Sequence, residues 1–172
     1  MTMPVMAYDQ ARSEMVLMGW EVGSNFTRAS FRWTGTGWTR SAESGGPLTV
    51  GFALSYDPAT KGLLLFGGFN QSGSDRDETW QRMLDGWKVA APAHHPAGTG
   101  FLSTSATPDQ DGVLLLAGCQ LWRWDGTDWS QTSAGVGVPG PYLFRTRDGT
   151  VFVFGLKPSP SQETNEGVWR FS

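Results

Sequence analysis

Four short apolar runs punctuate the chain, each entered through a polar turn and closed by glycine: "MVLMG" (15–19), "LLLFGG" (63–68), "VLLLAG" (113–118) and "VFVFG" (151–155). The turns before them hold Asp with Gly, Pro or Ser, as in "YDQARSE", "YDPATKG", "TPDQDG" and "TRDGT". Runs this short, bounded by turn residues and rich in Val, Leu and Phe, predict strands buried on both faces. No window sustains a helical period, so the pattern predicts an all-β chain.

Each run sits second in a recurring order of four strands. Strand a precedes the Asp turn ("VMAYD", "FALSYD", "FLSTSA", "YLFRT"), and strand b is the apolar run, closing at Gly19, Gly67, Gly118 or Gly155. Strand c carries "SFRW", "TWQRM", "LWRW" and "VWRF", and strand d opens at Trp38, Trp87 or Trp129. The fourth unit ends after strand c. Four antiparallel strands repeated every ~40–50 residues predict β-propeller blades, here at about 1–43, 48–92, 99–133 and 141–172 of a single domain, the last lacking its outer strand. Turns a–b and c–d should be short, and the b–c and d–a connections longer.

Aromatic spacing sharpens this picture. "FRWTGTGW" (31–38), "WQRMLDGW" (80–87) and "WRWDGTDW" (122–129) place tryptophans at both ends of the c–d hairpin. Alternate residues of a strand share a face, so these rings belong to one side of each blade. A large ring buries ~150–250 Å², and most of the nine tryptophans are therefore expected between blades.

The second unit, "SYDPATKGLLLFGG" followed by "ETW" (78–80) and Trp87, resembles a kelch-repeat propeller of the type related to the central domain of galactose oxidase. The first, third and fourth units depart from it, with Gly19–Trp20, Gly118–Cys119 and Gly155–Leu156 at the glycine pair. The resemblance implies an interaction module more often than an enzyme. The copper-radical site of galactose oxidase has no counterpart, because the tyrosines (Tyr8, Tyr56, Tyr142) lie in or near strand a and the histidines are adjacent. "DGTDW" lacks the spacing of a sialidase aspartate box.

Composition narrows the functions further. Net charge is −3 with no Lys/Arg run, which gives nucleic-acid binding little electrostatic basis. No stretch approaches the ~20 apolar residues of a membrane span, and no signal peptide is visible, so a cytoplasmic location is the default expectation. Cys119, the single cysteine, ends an apolar run and is expected to be buried.

Binding residues collect on long, irregular loops, here about 20–29, 40–49, 69–77, 89–98, 130–141 and 156–166, all on the b–c/d–a face. Candidate binding residues are Trp20, Glu21, Asn25, Phe69, Asn70, Asp75, Arg76, Asp77, His94 and His95. Trp20 and Phe69 are candidates for stacking on a sugar ring. No catalytic residue, metal site or cofactor is assigned, since His94 and His95 are neighbours and neighbours in extended backbone point apart. The expected function is a non-catalytic recognition or scaffold module for a protein or glycan. The rivals are a fragment or subunit of a carbohydrate-active or oxidase propeller enzyme, and a small lectin. An open array of blades leaves an apolar face and strand edges in water, so self-association or further blades should complete the ring.

Overall fold

The computed structural model describes residues 2–21, 27–42, 45–98, 104–133, 142–157 and 165–171. Their regular structure is entirely strand, in four antiparallel sheets that follow one another along the chain. Sheet 1 is β1 (Thr2–Asp9), β2 (Glu14–Glu21), β3 (Thr27–Trp33) and β4 (Trp38–Arg40). Sheet 2 is β5 (Ala53–Asp57), β6 (Gly62–Phe66), β7 (Thr79–Met83) and β8 (Gly86–Ala90). Sheet 3 is β9 (Thr104–Pro108), β10 (Val113–Ala117), β11 (Gln120–Trp124) and β12 (Trp129–Ser133), and sheet 4 is β13 (Tyr142–Arg145), β14 (Val151–Lys157) and β15 (Asn165–Phe171). Within each sheet the strands lie in chain order, the meander of a propeller blade. Sheet 4 has three strands among the described residues, matching the sequence pattern.

The apolar runs are buried because their two faces go to different neighbours. Leu63 and Leu65 of β6 pack with Val16 and Met18 of β2, while Leu64 and Phe66 pack with Val113, Leu115 and Ala117 of β10. Leu114 and Leu116 turn the other way, onto Leu143, Val151 and Val153 of sheet 4. Every residue of β6 and β10 is buried. The order of packing is thus sheet 1 on 2, 2 on 3, and 3 on 4.

Tryptophans close the second of these layers. Trp124 and Trp129 are 0% and 2% exposed, with ring centroids 5.2 Å apart, and Phe66 of sheet 2 meets Trp129 edge-on at 5.5 Å. Trp87 is buried in the first layer, with Trp80 packed against that cluster and Trp122 against the second. The expectation of inter-sheet indoles fails for Trp33 and Trp38, which are 42% and 43% exposed. They lie in sheet 1, on the face that no other sheet among the described residues covers.

A polar tie accompanies each apolar layer. Asp9, at the end of strand a, is fully buried; it accepts from the amides of Ala11 and Arg12 in its own turn and from Arg82 of sheet 2 at 2.9 Å. Arg82 also stands 2.7 Å from Glu14. Asp57, equally buried, accepts from Ala59 N, from Thr60 Oγ1 and, at 3.0 Å, from the indole Nε1 of Trp124 in sheet 3. Asp109 pairs with Arg123 and lies 3.4 Å from Arg145 of sheet 4. The acid that shapes an a–b turn therefore also grips strand c, or strand a, of the next sheet. Burial of such a carboxylate is tolerable only with these donors in place.

Three details differ from the sequence reading. Counting from Gly62 and Gly112, where an added Cβ would sit 2.5 Å from the Arg82 carbonyl and 1.8 Å from that of Trp124, Gly118 matches Gly68 rather than Gly67. Ala117 therefore stands at the strand-closing position, and the third repeat is offset by one residue. Its b–c connection is the tight turn Gly118–Cys119 instead of a long loop. Cys119 is exposed for the same reason, since it sits at the tip of that turn.

Replacing Arg82 by Met leaves the buried Asp9 and the nearby Glu14 without their shared cation. Removing one partner of a buried pair costs about 3–5 kcal/mol when the other is left unpaired; Arg12 still stands 2.8 Å from Asp9, which puts the cost here at the low end of that range. Urea unfolding of Arg82→Met should show a loss of that order, and a loss below ~1 kcal/mol would mean the tie does not hold sheets 1 and 2 together.

Candidate functional site

The a–b and c–d ends of the sheets form one face, where turns of neighbouring sheets touch: Arg12 donates to the Met83 carbonyl, and Gln81 to that of Gly126. The b–c and d–a connections leave from the opposite ends of the strands. Among the described residues the most developed of them is 67–78 in sheet 2. It is held at its base by a two-residue bridge, Val50 N to Phe69 O and Phe69 N to Val50 O, and Phe69 also bridges Asp75. Asn70 then organises the tip. Its Oδ1 accepts from Ser72 N at 3.1 Å, Ser72 Oγ at 2.7 Å and Ser74 N at 2.9 Å, as expected of an Asx turn. Beyond the tip, Glu78 accepts from Arg76 at 2.7 Å and from the Trp80 indole at 3.3 Å, so the loop returns to β7 on a charged brace. Gly98 of the d–a segment lies against the Arg76 backbone, 3.2 Å from where a side chain would begin.

What this arrangement presents outward is polar. Asp75 and Asp77 are exposed, and His95 Nδ1 lies 3.7 Å from the Asp77 carboxylate. Phe69 is half-buried by its bridge, and Trp20 is half-buried within β2, so neither offers an open ring face. Trp20 and Glu21 belong to a strand where a loop was expected. Glu21 is 2.6 Å from Arg40 across the sheet, and that guanidinium lowers its carboxyl pKa. Asn25 lies outside the described residues, as do most of loops 130–141 and 156–166.

His94 parts company with His95. Its amide and its Nδ1 both meet Asp128, each at 2.8 Å, in the c–d turn of sheet 3. Asp128 is itself placed by Asp125, which accepts from the amides of Thr127 and Asp128. His94 thus straps the segment after β8 to the next sheet, while His95 stays near the 67–78 loop. Among the described residues no three of His, Cys, Asp and Glu come together. The Asp128 partner and the Glu78 brace were missed from the sequence. The first joins residues far apart in the chain, whereas the second was detectable as Arg and Glu two residues apart beside a tryptophan.

An open cavity of about 410 Å³ occurs at the outer rim, between β3–β4 and the β7–β8 turn, with Arg32, Arg40 and Asp85 in its lining. It is shallow and shares Arg40 with the Glu21 pair.

The molecule is therefore an array of propeller-type blades with one tightly turned face and one loop-bearing face. No family model matches the chain, and no curated protein matches it. Among solved structures it is similar to YjhT, with a TM-score of 0.63 at 12% identity, over 91% of this chain and 62% of that one. The chain spans less than two-thirds of YjhT, and at this identity the likeness concerns fold alone. A fucose lectin from Kordia zhangzhouensis, solved with methyl-fucoside, is matched over 77% of this chain and 99% of its own at 15% identity; its TM-score of 0.44 carries no weight for the fold.

The His94 bonds hold Asp128 at a pKa of about 2. A depressed carboxyl favours the folded chain above its ordinary pKa near 4 and loses that effect as pH falls towards 2. Carboxyl-carbon NMR should show Asp128 titrating near 2, and His94→Ala should return it towards ~4. An unchanged midpoint in that variant would exclude the imidazole bond as the main cause of the shift.

Proposed function

We propose that this chain is a kelch-like, non-catalytic recognition module that engages a protein partner through the 67–78 loop and the adjoining 95–98 segment. The observation that carries this reading is the loop's own bonding. Asn70, the Phe69 bridge and the Arg76–Glu78–Trp80 brace fix its shape from within. A loop ordered before its ligand arrives forfeits less conformational entropy on binding, and it stands on a sheet packed on both sides. Asp75, Asp77 and His95 then offer two carboxylates and an imidazole to polar or basic groups of the partner. The reading holds for an array completed by further blades or by a second copy.

A glycan is the second reading, favoured by the two exposed carboxylates, which can accept from sugar hydroxyls. It is weakened by the half-burial of Phe69 and Trp20, since ring stacking on sugars needs an open aromatic face.

Pull-down with the intact chain, set beside a variant whose 70–77 tip is replaced by a Gly-Ser turn, tests the proposal. Retention of a defined protein by the parent and its loss from the variant, with an unchanged circular dichroism spectrum, is the expected result. Equal retention by both would reject the loop as the site. Saturable glycan-array binding together with a tryptophan fluorescence change would replace the protein reading with the lectin one.

A further inference from the structure

Sheets 2 and 3 both cover a cross-strand pair on strands c and d with the sheet before them. In sheet 3 the pair is Trp124–Trp129, under Asp57 and Phe66; in sheet 2 it is Arg82–Trp87, under Asp9 and the β2 side chains. Sheet 1 has the same pair, Trp33–Trp38, in the same register and nearly the same geometry, with centroids 5.5 Å apart against 5.2 Å for Trp124–Trp129. Here the rings are open to water. Around them on that face stand Met6 and Tyr8, both exposed, with Phe31 under the Arg40 guanidinium. At the other end of the array, sheet 4 shows the kind of face that sheets 1–3 each present to their successor. Phe152 and Phe154 occupy the places of Leu64 and Phe66, and Phe144 stacks on Phe152 at 5.2 Å beside an exposed Tyr142.

We propose that a second copy of this chain covers sheet 1, its sheet 4 lying on Trp33–Trp38 as sheet 2 lies on Trp124–Trp129. Two such joints, related by a twofold axis, close a ring from two chains. In each joint the second copy's Phe154 takes Phe66's place against Trp38, and its Thr146 takes Asp57's place opposite the Trp33 indole. Thr146 closes the last a–b hairpin, bonded to Thr150 as Asp109 is to Gly112. Its hydroxyl proton is directed to Asp148 and the Thr150 carbonyl, which leaves oxygen lone pairs to accept from Trp33 Nε1. The joint continues an interface the chain already forms three times. Its extent is also adequate. The exposed side chains Met6, Tyr8, Trp33, Trp38, Tyr142, Phe144 and Phe154 would bury roughly 700 Å² per joint, at about half of ~150–250 Å² each. A two-chain ring buries about twice that, within the ~1,200–2,000 Å² of stable interfaces. The proposal is independent of the loop-face reading, and either can fail alone.

Light scattering of the purified chain should give the mass of two chains. Trp33→Asp and Phe154→Asp alter opposite ends at exposed positions, so each should halve that mass while circular dichroism stays near the parent's and the unfolding midpoint falls with the loss of the joints. A folded parent of single-chain mass overturns the proposal. So does a dimer that neither substitution affects.

Discussion

The structure depends on one constraint: a thin antiparallel sheet whose central strand is apolar on both sides cannot exist alone in water. β6 and β10 supply five buried residues each, and alternation sends those residues to two different neighbours. At ~25 cal/mol per Å² of apolar surface, neither face can be left uncovered without losing several kcal/mol. Stacking in series is the consequence, and it makes each sheet's stability a property of its neighbours.

Apolar layers alone allow sliding and rotation, since dispersion and burial are not directional. The buried acids remove that freedom. Asp9 and Asp57 shape their own turns and at the same time accept one donor from the following sheet, so turn geometry and inter-sheet register are fixed by the same carboxylate. The donor differs, a guanidinium in one layer and an indole in the next, while the acceptor is constant. Such ties confine one face to short, rigid turns and leave the opposite strand ends to carry connections of variable length. The self-braced 67–78 loop and His95 lie together among those connections, whereas His94 is drawn away to Asp128 in the c–d turn of the neighbouring sheet.

Much of this was legible in the sequence, because apolar runs, Asp turns and paired tryptophans each report a local physical requirement. The strand order, the three-stranded last sheet and the burial of Trp87, Trp124 and Trp129 followed from them. What was not legible depended on neighbours. Trp33 looks like Trp124 in the sequence and differs in that no sheet among the described residues covers it. Gly118 was matched to the wrong glycine because the offset shows only when Gly62 and Gly112 are seen against their carbonyls. Trp20 and Glu21 read as loop because β2 extends past its glycine, pairing with Thr27 and Arg28. The recurring acid was visible as a turn residue, but nothing local revealed its second partner.

Hydrogen exchange at the tryptophan indole N–H groups tests the central claim directly. Trp124 and Trp129 donate to Asp57 and to Thr79 from beneath sheet 2, so their exchange should require separation of sheets 2 and 3 and be slow to the level of global unfolding. Exchange of both at the rate of a free indole would contradict a structure built from sheets that shield one another.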